Sequence, residues 1–312
     1  MCGHATIALG RFLIDTNDKK VFPRRRLLEY NESDDSIKLI LHAPCGPVKV
    51  SVPVTPTTNS LGQEKSDPSR PVSFLSVPSF ATAIGLKLAI PEKYRWDEIN
   101  VSGPGEVIID IAYGGAFYAI VKLEALGFPG DNILIGQGND HSLDALKEAT
   151  RLLKTFLTET EDFRKYFRHP TSPDLEYLYG VIVVNSLMPP TAEGKEAAQE
   201  EMGICFFADQ QIDRSPCGSG VSARVALSAT KGELGLGKGR VYHSLITKSK
   251  GVDAFAGSAA EKVSLDHDGR HLGEKEVWEA WVVKVEGKGY YTDATTFVWE
   301  QTDSISKEGF IL

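Results

Sequence analysis

Apolar residues recur along the chain mostly in short runs, more strand-like than helical. Ile37–His42 and Val48–Val54 flank Cys45-Gly46-Pro47, which predicts two strands joined by a turn. A polar stretch over 55–71, rich in Pro, Ser and Thr, reads as a loop before a short strand at Val72–Val77. Glu106–Ile111 and Ala116–Val121 predict two strands joined by Tyr113-Gly114-Gly115, and Val181–Asn185 and Ile204–Phe207 predict two more. Near the end, β-branched and polar residues alternate over Val277–Val285 and Tyr290–Trp299. Gly287-Lys288-Gly289 lies between them and predicts a hairpin.

Helical patterns occur in three places. Residues 5–14 form a short apolar helix close to the first residue. The clearest helix runs over about 141–157, where Leu146, Ala149, Leu152, Leu153, Phe156 and Leu157 repeat at three and four. A helix of small residues follows Cys217, and the turn-rich segment 232–239 closes it as a hinge. Strands alternating with a few helices, without a short repeat, make the class mixed α and β.

Charge narrows the function. The formal net charge of -8 over 312 residues argues against a nucleic-acid groove as the main business. Arg24-Arg25-Arg26, the one tight basic run, reads as a solvated loop. No stretch approaches the roughly 20 apolar residues of a spanning helix, so no membrane partner is expected. Cys-Gly-His follows Met1 in place of a charged region and an apolar run, so the expected location is cytoplasmic. Cys2, Cys45, Cys205 and Cys217 show no C-x-x-C spacing, which argues against a metal site and for reduced thiols. Gly235-Leu236-Gly237-Lys238-Gly239 lacks the spacing of a phosphate loop.

Two of the thiols share a setting. Cys2-Gly3-His4-Ala5-Thr6 opens the first helix, and Cys217-Gly218-Ser219-Gly220-Val221-Ser222 opens the small-residue helix. Unpaired N–H groups and the positive end of the dipole at a helix N-terminus favour a thiolate and bind a carboxylate. Glycine lets a ligand approach the backbone. Two such thiols facing each other across one small acid would invert a stereocentre, one taking the Cα proton while the other delivers a proton to the far face. That chemistry needs no cofactor. A lone Cys-Gly ahead of a helix more often serves packing, and on that basis Cys45 and Cys205 are taken as inert core thiols.

MCGHATIALGRF and DRSPCGSGVSARVAL resemble the two signature motifs of the proline racemase family, which includes proline racemases, 4-hydroxyproline 2-epimerases and trans-3-hydroxy-L-proline dehydratases. The stretches from Phe74 to Phe80 and from Asp110 to Ala119 agree, and the similarity runs over essentially the whole chain. The resemblance implies two pseudo-symmetric α/β halves like those of diaminopimelate epimerase, with the active site in the cleft between them. It implies that Cys2 and Cys217 are the acid/base thiols. Gly3, His4, Gly218 and Ser219 would bind the substrate carboxylate, and Asp213 the ammonium. His4 as a structural residue capping its own helix is the alternative, and Arg214 is expected in an internal ion pair. The family further implies an imino acid substrate and a homodimer.

Dehydratases of the family typically carry threonine at the second cysteine position, because loss of a 3-hydroxyl needs no second proton donor at Cα. Cys217 therefore favours a racemase or epimerase of proline or hydroxyproline. Leu9-Gly10-Arg11-Phe12 and the residues after Cys217 look closer to dehydratase-like members, which keeps trans-3-hydroxy-L-proline dehydration as the alternative. A non-catalytic imino-acid binder is a third reading.

The pseudo-symmetry divides the chain into residues 1–100, a first half-domain incomplete on its N-terminal side, and residues 101–312, whose last strands can pack back on the first. Only one residue precedes Cys2, whereas a long strand–helix–strand run precedes Cys217. The chain is therefore expected to be a truncated product, with a natural short form as the alternative. As such it is expected to be poorly stable and weakly active.

Overall fold

The computed structural model describes residues 2–55, 64–102, 105–128, 140–185, 199–265, 278–296, 298 and 300–303. In chain order the strands are β1 (Tyr30–Asn31), β2 (Ser36–Ala43), β3 (Gly46–Thr55), β4 (Lys65–Ser66), β5 (Val72–Leu75), β6 (Phe80–Ala89) and β7 (Glu106–Tyr113). They continue with β8 (Phe117–Lys122), β9 (Leu178–Val184), β10 (Glu200–Phe207), β11 (Gln211–Ile212), β12 (Gly239–His243), β13 (Phe255–Leu265) and β14 (Trp278–Gly287). The α-helices are α1 (Gly3–Asp15), α2 (Asp97–Ser102), α3 (Asp140–Glu159), α4 (Gly218–Thr230) and α5 (Leu245–Lys250). The fold is mixed α/β.

One path of paired strands runs β1-β2-β3-β5-β14-β13-β12-β10-β9-β8-β7-β6. β10 is the junction. Its Glu200–Met202 end pairs parallel with β12, and its Gly203–Phe207 end pairs antiparallel with β9. The early strands β2, β3 and β5 thus share one sheet region with the late strands β12 to β14, through the pairing of β5 with β14. β6, in a stretch with no clear alternation, pairs with β7 through two register irregularities, one between Ala81 and Ala83 and one between Ala83 and Leu86, at Gly85.

The helices differ in burial because their sequences differ. α1 buries Ile7 and Ile14 against β3 and β5 and leaves Leu9 and Phe12 exposed. α3 buries Leu146, Ala149, Leu153 and Leu157 on the stripe that its spacing predicts. α4 is buried over every residue from Gly218 to Ala229 and touches β6, β7, β8, β13 and β14. Its Gly, Ser, Ala and Val residues let strands approach from several sides at once. Among the described residues, no helix is long and apolar enough to cross a membrane.

Three local expectations change. Residues 290–296 and 298 form no strand, and Phe297 and Trp299 lie outside the described residues. β14 instead has β13 on one side and β5 on the other, so no edge is left for a hairpin partner. Arg25 of the basic run is buried: its guanidinium donates to Ile14 O, at the end of α1, and to Glu64 O, and lies 3.8 Å from the Glu64 carboxylate. A helix C-terminus with unpaired carbonyls attracts such a cation. The loop over 55–71 contains β4, which pairs with the end of β3.

Candidate active site

The N-termini of α1 and α4 meet backbone to backbone. A Cβ built on Gly3 would lie 2.6 Å from Gly218 Cα, and one built on Gly218 would lie 2.7 Å from Gly3 Cα. No side chain fits at either position, which is the physical reason for glycine after each cysteine. The contact brings two sets of first-turn amides and two positive dipole ends together. Gly114, in the turn between β7 and β8, repeats the device: its Cβ would lie 2.2 Å from Ser219 O.

The two cysteines beside this contact are held differently. Cys2 is exposed and is the N-cap of α1, its Sγ accepting from Ala5 N–H at 3.5 Å. The cap is therefore Cys2, and the alternative in which His4 caps the helix does not hold. Cys217 is buried, takes a φ of 64°, and makes no such cap. A positive φ at a non-glycine residue is uncommon and here aims the thiol sideways into the core. Tyr118 Oη on β8 lies 3.4 Å from its Sγ and 2.7 Å from Ser219 Oγ.

Cys205 is a buried core thiol, as expected. It neighbours Cys217, and the interaction of the two side chains is the main influence on both: it pushes Cys205 well above the ordinary thiol range and Cys217 below it. Burial and Asp213 act against the Cys217 thiolate, while Tyr118 supports it. Tyr179 on β9 completes the surroundings. Burial, and then the charges of Cys217, Cys205, Cys2 and Asp213, push its phenol up to about 12. Its ring stacks on Phe207 and meets Tyr118 edge-on.

The remaining expected residues cluster nearby. Asp213 accepts from Ser215 N and Ser215 Oγ, both at 2.8 Å, and Ser215 Oγ accepts from Cys217 N at 3.2 Å. The loop before Cys217 is thus pinned by its own side chains. His4 and Asp213 line a cavity of about 480 Å³ together with Phe255 and Tyr290; neither cysteine is in its lining. A cavity of about 540 Å³ runs along α4 past Arg224 and Lys231, also without either cysteine.

Arg214 is exposed and has no ion pair among the described residues, contrary to expectation. An internal pair is made by Arg224, nearly two turns into α4, with Glu201 at 3.0 Å, and Arg224 also donates to Pro216 O at 2.9 Å. Arg240, from β12, lies 4.0 Å from the other oxygen of the same carboxylate, so two buried arginines flank Glu201.

A model of the proline racemase family matches residues 1–311. The chain belongs to the proline racemase family. It is 34% identical over 314 residues to the trans-L-3-hydroxyproline dehydratase of Pongo abelii, covering 100% of this chain and 71% of that one. It is 28% identical over 312 residues to the proline racemase of Clostridioides difficile, covering 100% and 73%. The solved structure of a hydroxyproline epimerase from Agrobacterium vitis, with trans-4-hydroxy-L-proline bound, shares the fold at a TM-score of 0.62 and 21% identity, over 100% of this chain and 70% of that one. This proline racemase family member is thus an enzyme whose relatives carry two reaction names, one a racemase and one a dehydratase.

In the sequence Tyr118 and Tyr179 carry no role, and Cys205 reads as filling. For Tyr118 a signal existed. It alternates with Ala116 and Ile120 on an apolar face, and a buried tyrosine hydroxyl requires a partner.

Proposed function

We propose that this enzyme is a cofactor-independent racemase or epimerase of proline or hydroxyproline, working with Cys2 and Cys217 as the two proton-transfer groups. The observation that carries the reading is the meeting of the two Cys-Gly helix openings at Gly3 and Gly218. In this reading the carboxylate of the imino acid binds at the joined N-termini, with Gly3, His4, Gly218 and Ser219 as its hosts and Asp213 for the ring ammonium. The amides hold the negative charge that develops on the carboxylate as the Cα–H bond breaks. Cys217, held below the ordinary thiol value, acts as thiolate and takes the Cα proton. Cys2 as thiol gives its proton to the opposite face, leaving the two sulfurs with exchanged protonation. The domain reading, a first half over 1–100 and a second over 101–312, puts one cysteine in each half. A homodimer in the cytoplasm is the expected setting.

A second reading, trans-3-hydroxy-L-proline dehydration, is favoured by the 34% identity to a dehydratase. One experiment separates them. The chain is incubated in deuterated water with L-proline, trans-4-hydroxy-L-proline or trans-3-hydroxy-L-proline. Racemisation predicts Cα deuterium and the inverted isomer from one of the first two, lost in Cys2→Ser and in Cys217→Thr. Dehydration predicts pyrroline-2-carboxylate from the third, lost in Cys2→Ser and retained in Cys217→Thr. No exchange and no inversion with either of the first two substrates sinks the racemase reading.

A further inference from the structure

Tyr118 carries no role in the two-cysteine scheme, yet its side chain is fully buried and its hydroxyl reaches only two polar groups among the described contacts. These are Cys217 Sγ at 3.4 Å and Ser219 Oγ at 2.7 Å. Cys217 Sγ itself is 4.0 Å from Ser219 Oγ, so the phenol bridges the two. A phenol has one hydrogen, and a thiolate can only accept. With Cys217 ionised, the polarity is therefore set: Ser219 O–H donates to Tyr118 Oη, and Tyr118 O–H donates to the sulfur.

We propose that Tyr118 is a positioning residue that holds the Cys217 sulfur as a hydrogen-bonded thiolate and connects it to Ser219 at the helix opening. The proposal rests on the two-cysteine reading for its catalytic meaning but on geometry for its content. Burial keeps the phenol protonated across the range in which the thiol ionises, so the donor is always present. The other groups facing Cys217 come from separate elements: Cys205 on β10, Tyr179 on β9, and Asp213 ahead of α4. Arg224 and Cys2 act one step further out, on Cys205 and on Tyr179. Of the two hydroxyls within 4.0 Å of the sulfur, that of Tyr118 is the nearer, and its strand is paired on both sides, with β7 and β9.

The test reads Cys217 without turnover. The full chain and Tyr118→Phe are treated with iodoacetamide across a range of pH, and labelling of Cys217 and Cys2 is followed separately by peptide mass spectrometry. The ring stays in place in Tyr118→Phe; only the donor goes. The Cys217 profile is expected to move to higher pH, with its labelling rate at neutral pH falling about tenfold. The urea midpoint and the circular dichroism spectrum of Tyr118→Phe, measured beside the parent's, report an intact fold. An unchanged Cys217 profile in folded Tyr118→Phe overturns the proposal, as does a parent protein in which Cys217 is never labelled. Should Tyr118→Phe fail to fold, Ser219→Ala gives the second arm. It leaves the phenol hydrogen to the sulfur, so the profile is expected to remain within about threefold at neutral pH, and a tenfold fall overturns the proposal. Deuterium uptake is a separate readout: a shifted Cys217 profile with no uptake sinks the racemase reading and leaves the Tyr118 assignment standing.

Discussion

Gly218→Ala tests whether the meeting of the two helix ends sets the chemistry. The new Cβ would lie 2.7 Å from Gly3 Cα, with Gly3 C and the Phe74 ring each at 3.3 Å, and ordinary contact begins near 3.4 Å. Both nearest atoms are backbone, so no side chain can swing aside. The helix ends must part by roughly 0.7 Å, the gap between the built contact and an ordinary one. Overpacking of this kind costs about 1–3 kcal/mol, partly offset by up to ~1 kcal/mol from replacing a helical glycine. The expected net loss of stability is about 1–2 kcal/mol. Catalysis should suffer more, because a misplacement of about 1 Å between reacting groups can cost ~100-fold in rate. The assay is urea unfolding for stability and Cα deuterium incorporation for rate, in the parent and the variant. A variant with parental midpoint and parental exchange rate would refute the reasoning, since it would mean that the contact sets nothing.

Three further outcomes are expected. Arg224→Leu removes the nearer partner of Glu201 and the donor to Pro216 O; with Arg240 still 4.0 Å from the carboxylate, it should cost about 3 kcal/mol in urea unfolding and slow Cα exchange by loosening the loop before Cys217. Phe80→Ala, in the aromatic group with Tyr113, Phe117 and Trp278, should cost about 3–5 kcal/mol by the same measure. His169 is pushed down to about 4 by burial, and its Nδ1 accepts from Thr171 N and Ser172 N, so the folded chain resists protonation there. The unfolded chain takes up that proton near pH 6.5, so stability present above about pH 6.5 is lost as pH falls toward 4. Urea midpoints at pH 7 and pH 4.5 should differ less in His169→Asn than in the parent; an equal difference removes His169 as the cause.

The local chemistry of the chain was readable from residues alone. Helix openings are short-range features: glycine after cysteine and small residues beyond it specify α1 and α4 through a few neighbouring bonds. The stripe of α3 is likewise visible, because its 3.6-residue period repeats over several turns. Most strand pairs joined by tight turns, such as β2 with β3 and β7 with β8, are set by turn chemistry. Partner choice across the sheet was not readable. β14 takes β5 and β13 as neighbours, and a pairing over some 200 residues leaves no mark in either strand. β6 escaped notice because its half-exposed positions, interrupted at Gly85, blur the period of two. Arg214 read as the ion-paired arginine because only its own flanks were in view, and the neighbours that surround the Cys217 sulfur leave no mark beside it in the chain. The tertiary structure alone gives the buried Glu201 carboxylate to Arg224 and Arg240 and brings Cys205 and Tyr118 to the Cys217 sulfur. Sequence determines what a segment can form with its neighbours in the chain, whereas burial and charge at a site depend on groups delivered by distant strands.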